Sequence, residues 1–426
     1  MLLPALLTDL LFAGRERDAR VWVEEANPAM AECAEGYGDV IFRKAGLGGS
    51  LRATGDRREA LRGADCVIYA GDPQAASRFF QDRSALESGN EEDPGLTDQA
   101  RVNGGIEGLM HTLRAGEAVL DLCRAMEEAC PRALVINLGQ PVARTTKLFL
   151  DRGFRCYGLG RTPRKGANGL DTLAKGLQLK PEDLDAVIAG LPGFSFLLSL
   201  KSKGDGMDWM PKLKRAAKNG ELGQLTKRWL GWWDALAVGD VTDHAEFLPA
   251  QPDYRPEEKP AFGESVERRK ERIRYMNAVR EQGADGGEGA MAQLLLLSKA
   301  PPVRPMRLAL AVLRKEDGIH PSVAHENRGD LPQLTGGAVV ETDLKLVAGN
   351  PVPQGIRVPS ALADILAEID EVNRLAARAA AGDREALREC VETDPALGGL
   401  DRLYCLDVVQ ALIRMHKDML PRCASV

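Results

Sequence analysis

The chain has 426 residues, of which 44% are hydrophobic and 28% charged, and its formal net charge is −6. This length suits roughly two domains of about 100–200 residues, and this balance describes a folded chain rather than a disordered one. The acidic balance excludes nucleic acid as the principal partner, because a phosphate backbone calls for a basic face.

The first residues, MLLPALLTDLLFAGRERDARV, have Leu3, Leu6, Leu7, Leu10 and Leu11 at helical spacing. With no basic n-region, and with Asp9 interrupting the apolar run, they read as an amphipathic helix of a folded domain and not as a signal peptide. No apolar stretch reaches the ~20 residues of a membrane span, so no membrane partner is expected. Strand and helix patterns then alternate to about residue 160. ARVWVEEA is a strand, NPAMAECAEGYG a helix, DRREALRGA a helix and DCVIYAG (65–71) a strand. Residues 75–105 are polar and Gly-rich and read as an excursion or mobile loop. GEAVLDLCRAMEEAC (116–130) is an amphipathic helix that leads into the strand RALVINLGQ; PVARTTKLFLDRG is helical, with Pro141 in its first turn, and FRCYGLG is the next strand.

Alternating βαβ units of this length predict an α/β fold: a Rossmann-like, doubly wound parallel sheet over residues 1–190. Residues 191–426 are expected to form a C-terminal α+β, mostly helical domain for substrate binding and oligomerisation. It holds a Pro-rich stretch, PAQPDYRPEEKPAFG, a charged helix, ESVERRKERIRYMNAVREQG, and long helical patterns after residue 359. Ligands of doubly wound sheets bind beyond the carboxyl ends of the strands, which makes the ends of VINLGQ and CYGLGR candidate site positions. The eight cysteines are scattered without a C-x-x-C pair, so reduced, mostly buried thiols in a cytoplasmic protein are expected in place of a zinc site or a disulfide framework.

A dinucleotide-binding domain of this type opens with a strand and a Gly-rich turn that lets the pyrophosphate approach a helix N-terminus. Here the chain begins inside the helix that would follow, so the first strand and the turn are expected to be missing and NAD to bind poorly. GLGGS at 46–50 follows the second strand and reads as an ordinary loop. Glu25, at the end of RVWVEEA, stands where an acidic residue would hold the adenosine ribose; a solvated strand-end carboxylate is the equal alternative.

The order of segments resembles the family 4 glycoside hydrolases, the NAD- and metal-dependent glycosidases. LLTDLL, ATGDRREALRGADCVI, CPRALVINLGQPVARTT, YGLGRTP, AGLPGFSFLLSL, GDVTDHAEFLP, ENRGDLPQLTGGAVVET and AAAGDREALRECVETDPAL fall in family order from residue 1 to about 420. The resemblance implies a lactate/malate-dehydrogenase-like NAD domain joined to a mostly helical substrate domain, in a cytoplasmic homo-oligomer that acts on a small-molecule sugar or glycoside. It implies a reaction in which NAD takes a hydride from carbon 3, a base removes the carbon 2 proton, and the glycosidic oxygen is eliminated, with a divalent metal as Lewis acid.

This chain departs from the family at the metal. The family tip GLCH stands as Gly158-Leu159-Gly160-Arg161, and the tip GLNH as Gly190-Leu191-Pro192-Gly193, so both ligand positions are glycines, Gly160 and Gly193. No divalent metal is therefore expected. The family NxxNP stands as Asn137-Leu138-Gly139-Gln140-Pro141, and no tyrosine lies between Tyr157 and Tyr254, where the base would be. Carried over as substrate-site candidates are Asn137, His244 in GDVTDHAEFLP, Asn327 and Arg328 in ENRGD, and Arg114 in HTLRAGE. Each has a purely structural alternative: a helix-start histidine in a polar network, for example, or a turn built by asparagine and glycine. Arg161 is new to the tip. It could restore the positive charge of the lost metal and grip a carboxylate or phosphate with its planar fork, or be a solvated surface charge. Trp232 and Trp233 could stack on a sugar or belong to a core helix. Two functions follow from these residues: a divergent glycosidase acting on an anionic glycoside with NAD, or a catalytically inactive relative with a sugar-binding, regulatory or assembly role.

Overall fold

Three of the strands read from the sequence lie side by side in the structure, a computed structural model that describes residues 2–12, 19–44, 46, 48–71, 75–88, 102–160, 163–250, 266–284 and 303–424. Helix α1 (Leu2–Phe12) precedes a βαβ unit made of β1 (Arg20–Glu24), α2 (Pro28–Lys44) and β2 (Ser50–Thr54). β1 and β2 pair in parallel, from Arg20 opposite Ser50 to Glu24 opposite Thr54, and form a two-stranded sheet of their own. A short helix, α3 (Arg57–Leu61), starts at Asp56, whose carboxylate accepts from the Arg58 and Glu59 amides, as Asp does at an N-cap. The chain continues through β3 (Cys66–Tyr69), α4 (Ala75–Ser88), α5 (Gly105–Ala129), β4 (Leu134–Asn137), α6 (Val142–Asp151) and β5 (Cys156–Gly158). β3, β4 and β5 are neighbouring parallel strands, as the alternation predicts.

Beyond β5 the sheet changes character. Helix α7 (Leu170–Gly176) precedes the hairpin of β6 (Leu184–Leu191) and β7 (Phe194–Ser202); α8 (Met210–Lys218), α9 (Gln224–Trp233), β8 (Leu236–Ala237) and α10 (Val241–Ala245) follow. Then come α11 (Val266–Ala284), α12 (Pro305–Leu313), β9 (Gly318–Glu326), β10 (Val339–Val347) and β11 (Asn350–Pro351). The carboxyl end is α13 (Ser360–Ala380), α14 (Arg384–Thr393), α15 (Arg402–Met415) and a last turn, α16 (Pro421–Ala424). The large sheet runs β3-β4-β5-β9-β10-β6-β7-β8, with β11 on β10 and every pairing past β5 antiparallel.

One sheet therefore crosses residue 190, the expected division, which falls inside β6. The hydrogen-bonded ladder joins the parallel half to the antiparallel half, because β9 and β10 return from far along the chain to fill the space between β5 and β6. The excursion expected at 75–105 is also corrected in part. Residues 75–88 form α4, which buries Phe79 and Asp82; residues 89–101 lie outside the described residues, as does the Pro-rich stretch from residue 251 onward.

Burial on both faces explains why β4 reads as a continuous apolar run. Val135 joins a core with Leu113 and Met110 of α5, Phe149 of α6 and Leu375 of α13. Leu134 and Ile136 face the other way, onto Leu308 and Val312 of α12. Each such side chain withdrawn from water contributes about 1.5–3 kcal/mol. A second core packs Phe194 and Phe196 of β7 against Trp229 and Trp233 of α9 and Leu366 of α13. Trp233 thus belongs to the core, while Trp232 is half exposed. All eight cysteines are free thiols, seven of them buried. Among the described residues no helix is long and apolar enough to cross a membrane.

Candidate functional site

The register places one row of residues across the sheet. Tyr69 pairs with Asn137, Asn137 with Gly158, Gly158 with Ala324, Ala324 with Glu341, Glu341 with Gly190, and Gly190 with Ser195. Residues in register on adjacent strands project to the same face, so polar side chains from distant parts of the sequence share one surface of the sheet. At Gly158 a Cβ would come within 2.6 Å of Thr146 Oγ1, because α6 covers this end of the row. At the other end the β6–β7 hairpin turn and α10 leave a pocket.

The pocket is small and partly open to solvent, and is lined by Pro163, Gly193, Ser195, Val238, Gly239, Asp240, Asp243, His244 and Glu341. Gly193 turns the hairpin at φ +85°, a left-handed conformation that glycine adopts without strain, and a Cβ there would point to Phe247 at 3.3 Å and the Asn103 amide at 3.6 Å. Asn103 is itself held by Glu246, whose Oε2 accepts from the Val102 and Asn103 backbone amides at 2.9 and 3.1 Å and from Asn103 Nδ2 at 2.8 Å.

His244 lies on α10, which Asp240 caps by accepting from the Thr242 amide and hydroxyl at 3.1 and 2.8 Å. Its Nε2 donates to the Ser195 carbonyl at 2.7 Å, its Nδ1 lies 3.3 Å from the Asp240 carbonyl, and Trp229 stacks on the ring. Burial pulls its pKa below the usual histidine value, against the pull of the two backbone contacts. Glu341 is 3% exposed, and its Oε1 accepts from Ser195 Oγ at 3.1 Å. Burial pushes the Glu341 carboxyl up to about 8; the Ser195 hydrogen bond opposes this, and the neighbouring Asp343 and Asp243 add to it. Among the described residues no arginine or lysine lines the pocket. Its chemistry is that of hydrogen-bond acceptors with two buried carboxyls, Glu341 and Asp243, a set that suits a polyhydroxyl ligand.

Of the sequence-derived substrate candidates among the described residues, only His244 lines this pocket. Asn137 is fully buried under α6: its Nδ2 donates to Thr145 and Thr146 Oγ1 at 2.8 and 2.9 Å, and its Oδ1 accepts from the Gly139 amide at 2.9 Å. Asn327 is buried in its own loop, its Nδ2 donating to the Leu331 carbonyl at 2.9 Å and its Oδ1 accepting from the Leu331 amide at 3.1 Å. Arg328 is exposed and pairs with Glu326 at 2.8 Å. Arg114 is 2% exposed and lies 2.8 Å from Asp82, away from the pocket lining. Arg161 lies outside the described residues, two positions before the pocket residue Pro163. Glu341 and Ser195 were missed. The signal for Glu341 was a lone acid inside the apolar strand pattern GGAVVETDLKL.

Among the described residues no group of three or more His, Cys, Asp or Glu is arranged to hold a metal ion. Of the two family ligand positions, Gly193 lines the pocket and Gly160 does not, and β9 and β10 stand between their strands in the sheet. Neither offers a side-chain ligand, so the described residues do not fit a divalent metal. For a dinucleotide, Glu25 stands half-buried just past the carboxyl end of β1, with Oε1 accepting from the Asn27 amide at 2.9 Å.

A Rossmann-like sheet extended by antiparallel strands, with its pocket beyond a hairpin turn, defines the structural class. Residues 6–158 match the family described as "Family 4 glycosyl hydrolase". An alpha-glucosidase of Erwinia rhapontici is 30% identical over 199 residues, 45% of this chain and 41% of that one. An alpha-galactosidase of Bacillus subtilis is 27% identical over 170 residues, 40% of this chain and 37% of that one. The aligned part thus spans about two fifths of the length of these curated relatives. The fold extends further: a 6-phospho-alpha-glucosidase from gut microorganisms, solved with NAD and Mn²⁺, superposes with a TM-score of 0.73 at 17% identity, covering 98% of this chain and 96% of that one. A Thermotoga maritima 6-phospho-beta-glucosidase, solved with manganese, NAD⁺ and glucose-6-phosphate, gives 0.68 at 16% identity over the same shares.

Proposed function

We propose that the chain is a divergent family 4 hydrolase of O-glycosyl bonds, taking an anionic glycoside into the pocket between the β6–β7 turn and α10. The observation that carries the reading is the convergence of three family-like segments on one pocket: Gly193 and Ser195 from AGLPGFSFLLSL, His244 from GDVTDHAEFLP, and Glu341 from ENRGDLPQLTGGAVVET. Asp240, Asp243 and Glu341 supply acceptors for sugar hydroxyls. The anionic group would be met by Arg161, two positions before Pro163 in the chain. NAD would supply the hydride acceptor, with Glu25 at its ribose; the protein's own contribution would be to seat the sugar ring and hold the Glu341 proton. A cytoplasmic homo-oligomer completes the reading.

A second reading, a sugar-binding relative without turnover, is favoured by one observation: glycine at both family metal-ligand positions. The two separate in one experiment. Release of 4-nitrophenol from a panel of neutral, 6-phosphorylated and uronic 4-nitrophenyl glycosides is followed with and without NAD and Mn²⁺, and the same sugars are titrated by calorimetry. Turnover of an acidic glycoside supports the hydrolase; saturable binding without turnover supports the second reading; neither outcome in any arm overturns both.

A further inference from the structure

Glu341 carries more than its place in the pocket lining. Among the described residues its carboxyl, on the sheet face, has no counter-ion. From β7, Ser195 Oγ donates to Oε1, and no other protein hydrogen bond holds the carboxyl among the described residues. From α10, the groups that face it are the acids Asp240 and Asp243 and the ring of His244, which is already committed to the Ser195 carbonyl. From its own strand comes Asp343, another acid, whose charge is taken up by Arg164 at 2.9 Å and by the Ser322 amide at 3.0 Å. Its partners across the ladder, Gly190 on β6 and Ala324 on β9, bring no polar side chain. A buried carboxylate needs several donors or a cation, and this one has a single hydroxyl.

We propose that Glu341 is the hydrogen-bond donor of the pocket, a specificity-determining residue whose own proton meets an acceptor oxygen of the bound sugar, while Ser195 occupies its other oxygen. This rests on the reading that a sugar binds here and adds the identity of the group it must present. An oxygen acceptor is welcome, a carboxylate or phosphate oxygen most of all; a ligand that only donates at this point is not. The arrangement ties binding to protonation. The unfolded chain ionises this side chain near the ordinary glutamate value, and the folded protein holds the proton up to about pH 8. The wild type therefore loses stability as pH rises through that interval, relative to a variant that cannot ionise. Binding that needs the proton is intact at pH 7 and about tenfold weaker one unit above the folded pKa.

The test uses the full chain, with glucose 6-phosphate and glucuronate as probes, titrated at pH 7 and pH 9 for the wild type, Glu341→Gln and Glu341→Leu. The wild type should bind about tenfold more weakly at pH 9. Glu341→Gln, which keeps a donor, should bind within a fewfold of wild type at pH 7 and show no loss at pH 9; Glu341→Leu should lose tenfold or more at both. Without ligand, the stability advantage of Glu341→Gln over wild type should widen from about pH 4.5 to 8 and stay level above. Ser195→Ala, a milder change, removes the bond that favours the ionised form and should move the loss of affinity to higher pH. Equal wild-type affinity at pH 7 and 9, or the same pH dependence in Glu341→Gln, overturns the proposal and leaves the sugar reading standing. Failure of both probes to bind at any pH overturns the sugar reading and the donor role with it.

Discussion

Arg114 is expected to hold the fold together and to touch no ligand. Its guanidinium lies 2.8 Å from Asp82 with both side chains buried, joining α5 to α4. Asp82 also takes Nε2 of His416, just past the end of α15, at 2.5 Å, and Arg78 reaches His416 Nδ1 at 3.2 Å, so four residues from α4, α5 and the end of α15 meet in one cluster. Removing one partner of a buried ion pair costs about 3–5 kcal/mol, because the other charge is left without compensation. Two features lower the figure for Arg114→Met. Asp82 keeps its histidine, and Arg114 Nε and Nη1 are buried with no hydrogen-bond partner among the described residues, so part of an existing desolvation cost is relieved. The expected loss is about 2–3 kcal/mol, read from urea unfolding at pH 7. The double variant Arg114→Met with Asp82→Leu should recover at least half of it, since two apolar side chains of similar bulk replace two charges. The affinity for glucose 6-phosphate should not change in either variant that remains folded. Wild-type stability with sugar binding weakened tenfold would refute this reasoning and return Arg114 to the ligand.

Further substitutions test the other assignments. Asn137→Ala breaks its bonds to Thr145, Thr146 and Gly139, and should destabilise by about 2–4 kcal/mol in urea with the sugar affinity of the surviving native protein unchanged. Gly193→His forces a side chain onto φ +85° against Phe247, and a fall in Tm corresponding to about 1–2 kcal/mol is expected. The double variant Gly160→Cys with Gly193→His should not take up stoichiometric Mn²⁺ by elemental analysis, since two ligands without a third do not hold the ion; uptake of one equivalent would show that the family site is still preformed. His111 is buried beside Arg114 and Arg144, and burial and their charges lower its pKa to about 3. A base with a lowered folded pKa loses stability as pH falls from its unfolded value near 6.5 toward 3, so His111→Gln should flatten the wild-type acid transition, followed by circular dichroism, across that window.

Much of the architecture is a local matter, and so it was legible in the chain. The apolar runs DCVIY, LVIN and CYG, set between amphipathic stretches, imply buried parallel strands because only a strand covered on both faces is apolar at every position. The N-caps Asp56 and Asp240 and the turn at Gly193 follow from side-chain chemistry within a few residues. The glycines at 160 and 193, which leave two tips without a ligand, are likewise plain in the sequence. What the tertiary structure alone decided is which polar groups meet. Asn137, Asn327 and Arg114 looked like site residues because they are polar in family-like segments, yet Asn137 bonds to α6, Asn327 to its own loop, and Arg114 is paired with Asp82 of α4. Glu341 looked like one acid in a strand. It became the centre of the pocket because β10, arriving some 150 residues after β6, pairs Glu341 with Gly190 and so sets its carboxyl beside Ser195. Burial and register are properties of that pairing. The chain carries the residues, but their desolvation exists only once the strands are side by side.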